Sequence, residues 1–186
     1  MNYEKVFTSV KKDDKTLPKG EYNFCKFINC DFENADFSGF KFIDCEFTDC
    51  NLSLAKLTDV NLINVKFVSC KLIGLVFDEC NSFGLSFSFE NSVLTGTSFF
   101  NAKIPGTLFK DCDLRETDFT ESDLSGSSFD NCNLSGSLFD NTTLEKTDFG
   151  TAYNYSINPQ TNKLKKTKFS LSGVPGLLTE YDIIIE

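Results

Sequence analysis

The sequence predicts an all-β solenoid, a narrow coil that turns a similar corner every five residues and stacks its turns edge to edge. Three observations predict it. First, every fifth residue from Tyr22 is large and apolar: Phe27, Phe32, Phe37, Phe42, Phe47, Leu52, Leu57, Leu62, Phe67, Leu72, Phe77 and, after the one polar exception Ser82, Phe87. The phase then slips by two residues, and Phe89, Leu94, Phe99, Ile104, Phe109, Leu114, Phe119, Leu124, Phe129, Leu134, Phe139, Leu144 and Phe149 continue it. Fifteen of the 21 Phe fall in this position, called i below. Second, the residue at i−2 is small or β-branched in most repeats, and all 8 Cys occur there, at Cys25, Cys30, Cys45, Cys50, Cys70, Cys80, Cys112 and Cys132. Third, Gly39, Gly74, Gly84, Gly96, Gly106, Gly126 and Gly136 all occupy i+2.

A period of five fits neither an amphipathic helix nor a plain strand. Two inward residues at i−2 and i share one face of a short extended segment. The remaining three must carry the chain around a corner, where glycine tolerates a positive φ. Coils built this way stack at about 4.8 Å, the ordinary strand spacing.

Along the chain, residues 1–19 lack the repeat and are expected to cap the first coil through Val6, Phe7 and Val10, since solenoids need capped ends. Residues 20–170 form the repeat, with the phase slip at 87–89 read as a bulge, a kink or a short protruding loop. Leu164 and Phe169 remain in phase and predict a last irregular coil. Residues 171–186 read as a C-terminal module: a short helix over 172–181 with Pro175 in its first turn, then a strand ending Ile183, Ile184, Ile185. An exposed strand of that kind must be paired, within the chain or with a second copy. Ile28, Ile43, Ile63, Val68 and Ile73 at i+1 form an apolar set expected to pack under the N-terminal cap, with a protein interface as the other reading.

Composition narrows the chemistry. The 186 residues contain no His, which excludes His-based triads, dyads and zinc sites. The Cys spacings include C-x4-C and C-x19-C but no C-x2-C pair, and Ala, Ser, Thr or Val fill the same slot elsewhere, so the thiols read as small buried side chains. No metal, cofactor or catalytic residue is expected. The start carries no apolar leader and no run is long enough to span a membrane, so a cytoplasmic, reducing location is expected.

Segments such as Cys30-Asp31-Phe32-Glu33-Asn34, Ala35-Asp36-Phe37-Ser38-Gly39, Ser122-Asp123-Leu124-Ser125-Gly126 and Cys132-Asn133-Leu134-Ser135-Gly136 resemble the pentapeptide-repeat family, whose repeat is A-(D/N)-(L/F)-x-x. The resemblance covers residues 20–150. It implies a right-handed quadrilateral parallel β-helix with four repeats, or twenty residues, per coil. Cys30, Cys50 and Cys70, and Phe27, Phe47, Phe67 and Phe87, would then stack in columns. Many members of that family dimerise through a C-terminal module, which implies a homodimer here through Leu177, Leu178, Tyr181, Ile183, Ile184 and Ile185.

Charge bears on function. Lys+Arg is 18 and Asp+Glu is 27, a net −9. Residues 20–150 alone carry 21 acidic and 9 basic side chains, a net −12. Such a chain repels nucleic acid and anionic membranes and favours a basic partner. Spread along the coils, this is one net charge per about 2.6 Å, against one per about 1.7 Å in duplex DNA. The densest acidic run is Asp111, Asp113, Glu116, Asp118, Glu121 and Asp123, extended by Asp130. These residues are the candidate partner-binding face; the bland reading is a solvated surface. The acidic coil and apolar C-terminus resemble the Qnr-type quinolone-resistance branch, although long loop insertions are missing. That resemblance implies a DNA mimic that binds a type II topoisomerase (DNA gyrase or topoisomerase IV). The alternative is a structural or scaffolding interaction module with no topoisomerase role.

Overall fold

A computed structural model describes residues 2–11, 17–181 and 183–184. The chain is a right-handed, four-sided parallel β-helix. Its strands are β1 (Asn2–Tyr3), β2 (Val6–Thr8), β3 (Glu21–Asn23), β4 (Lys26–Ile28), β5 (Lys41–Ile43), β6 (Glu46–Thr48), β7 (Asn61–Ile63), β8 (Val65–Val68), β9 (Phe87–Glu90), β10 (Leu108–Lys110), β11 (Ser128–Asp130), β12 (Asp148–Phe149) and β13 (Lys168–Phe169). The side through Tyr22 is here the first face, those through Phe27, Phe32 and Phe37 the second, third and fourth. On the first face β1, β3, β5 and β7 form a four-stranded sheet; on the second, β2, β4, β6, β8 and β9 to β13 form a nine-stranded one. The third and fourth faces are joined by isolated parallel bridges such as Asp31↔Asn51 and Asp36↔Lys56.

The apolar position explains the register. Phe27 faces Phe47, and Phe47 faces Phe67, in neighbouring coils. Their rings stack at 4.5 and 5.3 Å. The same ladder runs on through Phe89, Phe109, Phe129 and Phe149. These rings are almost wholly buried, and each contributes roughly 1.5–3 kcal/mol by leaving water. At the corners, i+2 residues adopt positive φ: Asn29 (52°), Asp111 (52°) and Gly126 (71°) are examples. Asn, Asp and Gly tolerate that region, which is why they recur there.

The slot at i−2 does more than fill space. Cys50 Sγ donates to the carbonyls of Phe27 (3.3 Å) and Thr48 (3.3 Å). Higher up the coil hydroxyls take over the task, as where Thr147 Oγ1 donates to Leu124 O at 2.8 Å. All eight thiols are free and buried. Burial pushes the Cys45 thiol up to about 11 and, with Asp78 and Glu79 nearby, that of Cys80 to about 12, so both stay protonated and inert.

Several expectations change in detail. The N-terminal segment covers the first repeat by being a coil itself: β1 pairs β3 and β2 pairs β4 in the twenty-residue register. Phe7 stacks on Phe27 at 5.0 Å and Val10 is buried, but Val6 points outward. Residues 12–16 of that segment lie outside the described residues. The apolar set at i+1 is divided among three faces; Ile43 and Ile63 are paired neighbours on the first, while Ile28 and Val68 sit on the second.

The slip is located at 82–86, just before the 87–89 where the phase jumps. Asn81 still donates its N–H to Val60 O (2.9 Å), as Asn61 does to Phe40 O (2.9 Å). By Phe87 the chain is opposite Val65, so Phe89, and not Phe87 as the twenty-residue spacing predicts, stacks on Phe67 in the column of Phe27 and Phe47. One corner therefore holds two additional residues. The first-face sheet ends there at β7, whereas the second-face sheet continues from β8 to β9 without interruption. Phe87 turns inward and packs on Phe77 (5.2 Å) and Phe89 (5.1 Å). It takes up core space at the level where Ser82 is exposed.

At the C-terminus, the expected helix is two 3-10 segments, Leu171–Leu177 and Thr179–Tyr181. Pro175 and two glycines disfavour a continuous α-helix. Gly176 lies against Tyr155, and its carbonyl accepts from Ile157 N at 2.9 Å. Ile183 and Ile184 are in no strand: among the described residues neither sheet extends past β13, and β-branched propensity needs a partner edge. Ile185 lies outside the described residues.

Candidate functional site

Only i−1, i+1 and i+2 face solvent, and the twenty-residue register stacks them into vertical columns. The surface is therefore read column by column, and the four faces differ sharply in charge. On the second face opposite charges alternate: Lys26 faces Glu46, Glu46 faces Lys66, and Lys110 lies between Glu90 and Asp130. Three ion pairs result, Lys26–Glu46 at 3.9 Å, Lys110–Glu90 at 2.7 Å and Lys168–Asp148 at 3.0 Å. The third face holds the fork of Arg115 on Asp113, at 2.7 Å. That guanidinium holds the Asp113 carboxyl below its usual range.

The fourth face and its edge with the first are different. They carry Asp36, Asp59, Asp78, Glu79, Asp118, Glu121 and Asp140 against Lys19 and Lys56. Bridges Asp36↔Lys56, Ser98↔Asp118 and Asp118↔Leu138 place the face residues in line. The edge acids are brought together through the backbone, Asp59 N donating to Glu79 O (2.9 Å) and Glu121 N to Asp140 O (2.8 Å). Among the described residues, none of the four salt bridges lies on this face. Asp36 has its carboxyl held below the usual range by Ser38, whose N–H donates to it at 2.9 Å.

The acidic run singled out in the sequence does not form one face. Successive repeats turn successive corners, so the run wraps around the rod. Asp111 and Asp130 lie together by the edge between the second and third faces, where Asn131 Nδ2 donates to Asp111 at 2.7 Å. Asp113 is on the third face and Glu116 at the edge beyond it. Asp118 and Glu121 belong to the acidic stripe. Asp123 is on the first face, accepting from Ser125 N (3.0 Å) and Ser125 Oγ (2.6 Å). Asp36, Asp59, Asp78, Glu79 and Asp140 complete the stripe. The signal for them was the twenty-residue column, applied in the sequence to Cys and Phe but not to the acids.

Of the C-terminal residues, Leu177 packs on the core edge. Leu178 is half-buried, and Tyr181 is exposed with its hydroxyl accepting from Gln160 Nε2 at 3.1 Å. Ile183, Ile184 and Leu171 are exposed. No helix among the described residues is long and apolar enough to cross a membrane.

A family model for the pentapeptide repeat region matches residues 22–99 and 86–169. The chain belongs to the pentapeptide-repeat family. Among solved pentapeptide-repeat structures, a trypsin-treated variant of QnrB1, a plasmid-mediated fluoroquinolone resistance protein, is 20% identical with a TM-score of 0.50, covering 100% of this chain and 99% of that one. A second such variant is 21% identical at a TM-score of 0.47, with the same coverage. HetL, a pentapeptide-repeat protein involved in heterocyst differentiation regulation from the cyanobacterium Nostoc sp., is 15% identical at 0.47, covering 89% of this chain and 83% of HetL. No curated protein matches at a significant level. The likeness at a TM-score of 0.50 shows a shared fold for this pentapeptide-repeat protein.

Proposed function

We propose that this pentapeptide-repeat protein is a non-enzymatic cytoplasmic binding rod whose fourth face docks, as a partial DNA mimic, on the cationic DNA-binding surface of a type II topoisomerase, DNA gyrase or topoisomerase IV. The observation that carries the reading is the stripe from Asp36 to Asp140: among the described residues none of its carboxylates makes a salt bridge and only Asp36 has a cation, Lys56, opposite it, whereas Glu46, Glu90, Asp113 and Asp148 on the second and third faces are paired. Over five coil spacings, about 24 Å, it presents a net −5. The family likeness to QnrB1, a fluoroquinolone resistance protein, selects the assay. Gyrase supercoiling is measured at rising protein concentration, with and without a quinolone. The reading expects a dose-dependent change in at least one arm, abolished by the triple variant Asp59→Lys, Asp118→Lys, Glu121→Lys and retained by the second-face variant Glu90→Lys. No effect of the wild-type protein on gyrase or topoisomerase IV sinks it.

Exposed Leu171, Ile183 and Ile184 support a homodimer through the C-terminal end. Sedimentation of Leu171→Asp/Ile184→Asp is expected to show a monomer where the wild type shows a dimer; a monomeric wild type removes this reading.

A further inference from the structure

The stripe is interrupted beside the two-residue insertion by a notch of mixed lining, in which Asp78, Ser82, Asn101 and Lys103 stand among apolar side chains. A surface cavity of about 480 Å³ lies there, between the coil of Asp78 to Leu85 and the coil of Phe100 to Lys103. Cys80 and Ala102, both buried, and half-buried Leu85 and exposed Phe100 supply its apolar lining. Phe83, between the lining residues Ser82 and Leu85, is 82% exposed. Carboxylates cluster beside it: Asp78 on the lining, Glu79 next in chain and Asp59 one coil below. Glu79 accepts from Thr58 Oγ1 at 2.7 Å and Asp59 from Asn81 Nδ2 at 3.3 Å, neutral donors that leave both charges in place. Lys103 also lines the notch.

Charge alone makes the stripe a modest attractor. A net −5 over about 24 Å is one charge per about 5 Å, roughly a third of the density of duplex DNA. Exposed pairs of that kind are weak and screened by salt. An aromatic anchor in a desolvated notch is the usual source of the missing affinity.

We propose that this notch anchors the docking face by taking an apolar side chain from a cationic amphipathic segment of the partner, whose Lys or Arg residues pair with Asp59, Asp78 and Glu79. The proposal rests on the fourth face being the docking face. It differs from charge mimicry in requiring Phe83 and Phe100. Phe100 lines the notch from the fourth face and Phe83 is exposed next to its lining residue Ser82; both are outside the stacked Phe ladder, so their replacement by Ser leaves the ladder intact.

The test uses the full chain, labelled for amide NMR and titrated with two probes of equal charge, a synthetic Lys/Leu amphipathic peptide and an oligolysine. The Lys/Leu peptide is expected to bind at least tenfold more tightly, with its largest shifts at Phe83, Leu85, Phe100 and Ala102. Phe83→Ser/Phe100→Ser should remove that tenfold advantage and leave oligolysine binding unchanged. Asp78→Asn/Glu79→Gln should weaken both probes. Equal affinity of the two probes, no effect of the Phe replacements, or shifts centred on the C-terminal residues would each overturn the proposal. Gyrase assays separate the two readings. A wild type and a Phe83→Ser/Phe100→Ser variant equally active on gyrase would refute the notch and leave the topoisomerase reading standing. Notch-specific peptide binding with no effect on either topoisomerase would do the reverse for the partner.

Discussion

Phe24 and Leu54 occupy corners at φ 53° and 58°, where Asn, Asp, Ser and Gly otherwise predominate. The left-handed region costs a side-chain-bearing residue about 1–2 kcal/mol, and Asn recovers part of it. Leu54 is 54% exposed, so Leu54→Asn loses little packing and should raise stability by about 1 kcal/mol in urea unfolding. Phe24 has an edge contact with Tyr3 at 5.4 Å; an aromatic pair contributes about 0.5–1.5 kcal/mol, so Phe24→Asn should be nearly neutral. A gain for Phe24→Asn larger than that for Leu54→Asn would contradict this account. The buried thiols give a pH dependence. Cys45 and Cys80 are raised from 9.0 to about 11 and about 12. The unfolded chain loses these protons first, so stability is intact below about pH 9 and falls as pH rises from there towards 11 and 12. Urea midpoints across that range should decline less steeply in Cys45→Ala/Cys80→Ala than in the wild type.

At the scale of elements, the stacked Phe ladder and the C-terminal segment are separable. Phe129 stacks between Phe109 and Phe149 at 4.8 Å on each side and is wholly buried. Phe129→Ala should cost about 3–5 kcal/mol, and because each coil contacts only its neighbours the loss should divide the rod into two less cooperative halves. Gly176 sits where an added Cβ would meet the Tyr155 carbonyl. Gly176→Ala should therefore lift the 3-10 segment, exposing the Ile157 N–H that donates to Gly176 O. Hydrogen exchange at Ile157 should accelerate while amides near Phe109 stay protected; acceleration at both would mean that the end and the rod unfold together.

For the whole molecule, the useful distinction is between neutralised and free charge. The second face alternates sign along its column, and its ion pairs are exposed and each of small effect. On the fourth face only Asp36 has a cation, Lys56, opposite it, so partner binding there should weaken about tenfold or more as salt rises from about 0.05 to 0.2 M. An apolar anchor at the notch would leave a salt-resistant remainder, lost in Phe83→Ser/Phe100→Ser. Binding that is wholly salt-sensitive would favour charge alone.

The sequence by itself determined the coil, because a large apolar residue every fifth position has one economical burial, a turn that repeats with that period. With the four-repeat coil that the family resemblance implies, the columns follow too: Phe27 lies under Phe47 and Cys30 under Cys50. The sequence did not determine which surface residues are neighbours. Asp111 to Asp123 are close in chain and lie on different faces, whereas Asp59 and Glu79, or Glu121 and Asp140, are a coil apart in chain and adjacent in space. Corner geometry and coil stacking decide that. The tertiary structure also decided where the two additional residues go, since the phase shift is felt at Phe87 but absorbed at the preceding corner, where continuity of the second-face sheet leaves room for it. The acidic stripe and the notch that interrupts it exist only once the chain has been wound.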